Sequence, residues 1–361
     1  MIIDNVQMSN LTIRDLTPSG MFIEACNNLQ IVGCVIKNIT TTTDSTAGMQ
    51  LIECYDGKIS NCLLNDITNN DGAVQGYSSI FCYNLIFEYC VSNNLTSYFN
   101  GNILTTGHTV LGFIPIFCVD LIYNNCISKN VTGCCDDAHG VSIFLNDSIK
   151  VHKMHVENVT DGKTPSKTGA KATGIEVYGS NIIISDCTVK NIFAIRPQDR
   201  QSAGFDAAGK NITFIRCCAD TVKVLNENFK PDEKYGYGVG FGWAPDPRLM
   251  FRIIHADTIC YKFCQATNCQ VGFDTFFHSN STWENIKISK YNTALLIDPY
   301  ETRVLTCNAC SECNPSQAAY LINKISNNTF KNIKKGCNNK YLYIISVILL
   351  FCSMFLMKKI L

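Results

Sequence analysis

The sequence predicts an all-β parallel β-helix of about ten rungs, followed by a C-terminal transmembrane helix. Three observations predict it. Cysteine pairs eight residues apart recur at Cys26/Cys34, Cys54/Cys62, Cys82/Cys90 and Cys118/Cys126, the first three pairs 28 residues apart and the fourth 36 residues on. Each second cysteine is followed by one ending, Asn38-Ile39-Thr40, Asp66-Ile67-Thr68, Asn94-Leu95-Thr96 and Asn130-Val131-Thr132. A glycine opens a short apolar strand in every unit, at Gly20, Gly48, Gly76, Gly112, Gly140, Gly174 and Gly204, and more loosely at Gly240 and Gly272.

Each unit reads as three short strands. The glycine strand runs into a turn with Asn or Asp, at Asn28, Asp56, Asn84, Asp120, Asn181 and Asn211. An alternating strand such as Leu29–Cys34 follows, then a third such as Val35–Thr40. Alternation sets one row of side chains inward and the other outward, and stacking pairs each strand with its counterparts about 4.8 Å above and below. A leucine-rich repeat has a similar period but needs consensus leucines and often a helical segment, and few units carry good helix formers.

Asn and Asp tolerate left-handed backbone, so one per coil at a fixed corner predicts a polar ladder. Cysteine is a small, often buried side chain, and stacked inward cysteines pack like valine or alanine. Ile3, Leu11 and Met154 take cysteine positions in their own units, which fits packing better than chemistry. Stack spacing lies within the range a disulfide spans, so bonding between rungs stays open on distance.

Formal net charge is zero and only 17% of residues are charged, which argues against nucleic acid as a partner. The first residues, Met1–Val6, show no basic and apolar signal-peptide pattern. Four segments follow: a β-helix over 1–300, a cysteine-containing cap or linker over 301–340, a membrane helix over 341–357 and a short basic tail over 358–361. Tyr341–Met357 is 17 residues without a charge, close to the shortest span. Lys331, Lys334, Lys335 and Lys340 precede it and Lys358 and Lys359 follow, a balance that places the β-helix in the cytosol as a tail-anchored domain. An upstream start would reverse that topology.

The frame of glycine strand, Asn/Asp turn and Cys-x-x-x-Asn-Ile-Thr ending resembles right-handed parallel β-helix proteins of the pectate-lyase-like superfamily. It is most similar to uncharacterised repeat proteins of large DNA viruses and some intracellular bacteria. The resemblance covers about residues 1–300. It implies a right-handed coil and says little of function, since one fold hosts many.

The large insertions, Ser97–Leu111, Gly133–His139, Asp161–Thr173, Ala194–Ala203 and Leu225–Val239, all fall between the Asn-Ile-Thr ending and the next glycine. Loops at one corner of a solenoid form an edge suited to a glycan or protein partner. On that edge Asp136, Asp137 and His139 are candidates for acid–base work on a glycan. Pectin-degrading relatives carry paired Asp and Gly-His-Gly on separate rungs, whereas here they are contiguous, Ala138 replaces the first glycine, and the Asn-Thr-Asp and Arg-Ile-Lys motifs have no counterpart. The expected function is therefore non-catalytic binding, with a carbohydrate-active enzyme and a structural surface or virion component as alternatives.

Tyr235, Tyr237, Phe241 and Trp243 crowd the longest insert and are candidates to line the binding edge or to cover the solenoid wall. Cys307, Cys310 and Cys313 have a spacing that zinc or a local disulfide would suit, or they belong to a loose cap. His152 and His155 sit at opposite strand parities and do not form a metal pair. No cofactor motif is present. Nine Asn-x-Ser/Thr sequons occur, but Asn38, Asn94, Asn130 and Asn158 are turn positions of the repeat itself. Strand edges at the solenoid ends leave room for oligomers.

Overall fold

A computed structural model of the chain describes residues 19–98, 109–134, 137–162, 171–195, 202–226, 238–242, 256–274 and 278–290, together with 228, 230–231 and short strands at 3–4, 7–9, 12–14, 293–296, 329–331 and 334–335. It is a parallel β-solenoid. Seven regular coils span 21–41, 45–69, 73–97, 110–132, 137–161, 171–195 and 202–225. Shorter strands on either side continue the same ladders, including Thr329–Lys331 and Lys334–Lys335, which lie within the segment expected to be a cap or linker.

Among the described residues, 22 strands form one ladder, which carries the first and second strand of every coil, and 11 strands form the other, which carries the third. Every pairing between named strands is parallel and in step with the repeat: Leu64 faces Ile36 and Ser92, and Val131 faces Leu95 and Val159. Ile3 pairs with Cys26, the position expected for it.

The glycine column has a steric cause. A Cβ on Gly174 would lie 2.1 Å from Val189 Cγ1 and 2.5 Å from the Gly204 carbonyl, and one on Gly140 would lie 2.2 Å from Val156 Cγ1. At this corner the first strand runs so close to the third that no side chain fits. The residue after each glycine points inward, and like residues stack from coil to coil. Tyr77 stacks on Phe113 at 4.8 Å, and Phe241 lies between Phe205 and Phe273 at 4.7 Å from each. Isologous stacking of this kind joins the coils into one continuous apolar core.

Left-handed backbone occurs in columns. The first Asn/Asp corner carries Asn28, Asp56, Asn84, Asp120, Asn181 and Asn211 at φ between 50° and 57°. Asn84 Nδ2 donates to Asp56 Oδ1 at 2.7 Å and Asn211 Nδ2 to Asn181 Oδ1 at 3.1 Å. A second ladder runs along the third strands, where Asn94 donates to Asp66 at 2.9 Å and Asn158 to Asn130 at 3.0 Å. Both satisfy the amide while its residue makes the bend that a β-branched residue would resist.

The cysteines are packing residues joined to the coil beneath. Cys82 Sγ lies 3.5 Å from the Leu51 carbonyl, Cys118 Sγ 3.3 Å from that of Ser79, and Cys90 Sγ 3.4 Å from that of Ile59. These three are buried thiols, while Cys218 and Cys260 are half-buried. The neighbouring Cys118 thiol, and then burial, push Cys82 up to about 12, and Cys126 and burial do the same for Cys90. Thiols so held are poor nucleophiles and poor metal ligands. Among the described residues no helix is long and apolar enough to cross a membrane. The apolar run 341–357 lies outside the described residues.

Candidate functional site

Five of the insertions share one corner of the coil. Third strands end at Ser97, Thr132, Asp161, Ile195 and Leu225, and the next first strands begin at Val110, Asp137, Lys171, Ser202 and Gly238. These five inserted segments therefore leave and rejoin the solenoid along a single edge, whereas 243–255 connects the first strand Gly238–Gly242 to the second strand Ala256–Lys262, at the other corner.

The wall beside that edge differs from an ordinary solvated sheet. In the first strands of the coils beginning at Asp137, Lys171 and Ser202, both side-chain rows are buried. Val141, Ile175 and Phe205 form the inward row, while the outward row aligns Ser142, Glu176 and Asp206 in register, with Asp137 facing Lys171 and His139 facing Thr173. The outward row is polar, so its groups must satisfy one another.

They do so around Lys171, which is 1% exposed. Its Nζ lies 2.5 Å from Glu176 Oε1, 2.7 Å from Asp206 Oδ2 and 3.4 Å from the Tyr178 hydroxyl. Glu176 Oε2 accepts a hydrogen bond from Ser142 Oγ at 2.8 Å and lies 3.3 Å from His139 Nδ1. Asp161, the last residue before an insertion, accepts the Lys171 backbone N–H at 3.1 Å, which anchors that insertion at its return. Thr173 Oγ1 is buried without a hydrogen-bond partner.

The cluster holds its charges. Burial favours neutral Glu176, but His139 and Lys171 outweigh it and keep the carboxyl down at about 2. Burial likewise opposes the Lys171 ammonium, and Asp206 and Glu176 overcome it, raising that group well above the usual lysine range. Tyr178 is pushed up by burial and then by Asp206. A carboxylate this acidic and an ammonium this basic are mismatched to proton transfer near neutral pH, and suited to a rigid charged platform.

Asp137 and His139 thus stand together on the outward side of one strand, two residues apart and both against this cluster. Asp136, Tyr235, Tyr237, Trp243, Cys307, Cys310 and Cys313 lie outside the described residues. Phe241 is not an edge aromatic: it is fully buried between Phe205 and Phe273, because the residue following the repeat glycine always points into the core. His152 and His155 take different ladders, bonding Ser185 at 3.0 Å and Thr188 at 2.6 Å. Among the described residues no group of three or more His, Cys, Asp or Glu side chains is placed to hold a metal ion.

Sequence reasoning missed Lys171, Glu176, Tyr178 and Asp206. A signal existed, since Ser142, Glu176 and Asp206 each stand two residues after a repeat glycine and so share one outward column. No family model matches the chain, and no curated protein matches it.

Proposed function

We propose that the protein is a membrane-tethered parallel β-solenoid that binds a glycan or protein partner, without catalysis, along its loop edge. The observation that carries this reading is the return of five insertions, in five successive coils, to one corner beside a buried platform of fixed charge. Loops on a rigid scaffold are where recognition residues concentrate. The tether is the uncharged segment 341–357, with the solenoid on the cytosolic side, where stacked thiols stay reduced. The glycine, cysteine and asparagine frame supports grouping it with right-handed β-helices of the pectate-lyase-like superfamily.

The enzymatic alternative draws support from Asp137 and His139 standing beside Glu176. Against it, Glu176 and Asp206 both ion-pair with Lys171, so neither is the protonated carboxyl that glycoside cleavage needs. Full-length protein in detergent, screened against immobilised glycans and host proteins, tests the proposal. Binding that disappears when the inserts at 163–170 and 196–201 are shortened supports it. Binding indifferent to every insert overturns it.

A further inference from the structure

The opposite margin of the same strands, where the first strand turns into the second, carries an exposed ridge. Phe81, Phe117 and Leu145 occupy one register position in three successive coils and are 53%, 48% and 38% exposed. The two phenyl rings stack on each other at 5.3 Å and 8°, so their edges face outward. Tyr83, 45% exposed, extends the apolar surface along its coil.

Two features set this ridge apart from a fortuitous apolar spot. All three ridge residues have left-handed backbone, at φ 53°, 52° and 55°, a conformation unfavourable for a bulky residue. The neighbouring corner column meets the same demand with Asn and Asp. The solenoid therefore holds bulky apolar side chains in strained backbone where they gain little burial, and folding alone does not account for them.

The second feature is charge. The four coil segments 51–57, 80–84, 116–120 and 144–148 contain Glu53, Asp56, Asp120 and Asp147 and no lysine or arginine. Asp56 accepts an amide from Asn84, Asp147 accepts from Ser180 and Asn181, and no described cation pairs with Glu53, Asp56 or Asp120. Asp120 also accepts the Tyr83 hydroxyl, and an apolar strip bordered by carboxylates that no described cation neutralises is complementary to apolar side chains interspersed with cations and repels anionic lipid headgroups.

We propose that this ridge is a docking surface for a protein segment in which apolar residues alternate with lysine or arginine. It is separate from the loop edge and does not rest on that reading.

The test uses full-length protein in detergent and a short fluorescein-labelled peptide alternating lysine and leucine, with glutamate–leucine and lysine–serine peptides as controls. The lysine–leucine peptide is expected to bind at least about tenfold more tightly than either control. Phe81→Asn with Phe117→Asn should lose at least about tenfold in affinity while keeping or raising the melting temperature, because asparagine suits left-handed backbone. Asp56→Asn with Asp120→Asn should weaken binding and flatten its decline with salt. Equal binding of the lysine–serine peptide, or unchanged affinity in the Phe81/Phe117 variant, overturns the proposal. So does ridge-dependent self-association of the chain, or ridge-dependent adsorption to phosphatidylcholine vesicles, without peptide binding.

Discussion

Lys171 and Asp206 come from neighbouring coils and meet at 2.7 Å between Nζ and Oδ2, both buried on the outward side of the solenoid wall. Glu176 completes the arrangement from the same strand as the lysine. Replacing Lys171 with methionine leaves two buried carboxylates without their cation. The expected loss is about 3–5 kcal/mol in urea denaturation. Adding Glu176→Gln and Asp206→Asn should recover part of it. A single variant as stable as the parent would mean that the pair is not formed in solution.

The pH dependence follows from Glu176. Its folded carboxyl is held below the ordinary 4.5, at about 2, so the unfolded chain takes up the proton first. The stability this group contributes is complete above pH 4.5 and is lost as pH falls toward 2. Urea midpoints measured through that window should fall less steeply in Glu176→Gln than in the parent. Parallel curves would contradict the assignment.

Gly174 reports on the close approach between strands. A methyl group there meets Val189 and the Gly204 carbonyl, so Gly174→Ala should cost about 2 kcal/mol and Gly174→Val should prevent folding. Thermal melts followed by circular dichroism distinguish this from a surface glycine, where alanine would be neutral or stabilising.

Asn94 tests the ladder. Its φ is 54° and its amide donates to Asp66. Asn94→Ala loses both the conformational tolerance and the bond, about 1–2 kcal/mol, whereas Asn94→Gly loses only the bond. Equal destabilisation by the two substitutions, measured by chemical denaturation, would remove left-handed strain from the explanation.

Cys82 and Cys90 predict chemical silence. Both bond backbone carbonyls of the coil beneath, and a neighbouring thiol together with burial pushes each up to about 12. Iodoacetamide at mildly alkaline pH should leave them unmodified in the native protein and label them after denaturation, as read by peptide mass. Added reductant should leave the melting temperature unchanged. A fall on reduction would reveal disulfides between rungs.

Much of this fold was legible because the repeat marks its own register. The glycine column, the cysteine positions and the Asn/Asp bends each serve one local steric or hydrogen-bonding need in every coil, and Ile3 pairs with Cys26 where the frame puts it. The same frame would have placed Phe241: one residue after Gly240, it belongs with Phe205 and Phe273 in the core, and the surrounding glycines disguised it as a loop aromatic. The charged platform was harder to see. The strands of Glu176 and Asp206 each follow an insertion of different length, so alignment of these two carboxylates appears only when coils are counted from their glycines. Alternation also misled, since an outward row normally meets water and here is buried.

The proposed role of the loop edge is recognition without turnover. Full-length protein is incubated with a panel of polysaccharides and immobilised proteins across mildly acidic to mildly alkaline pH, recording bound partner and newly formed reducing or unsaturated sugar ends in the same samples. A retained partner with no new chain ends is expected. Cleavage products that vanish in Asp137→Asn or His139→Gln, with the melting temperature unchanged, would contradict it and make this edge an active site.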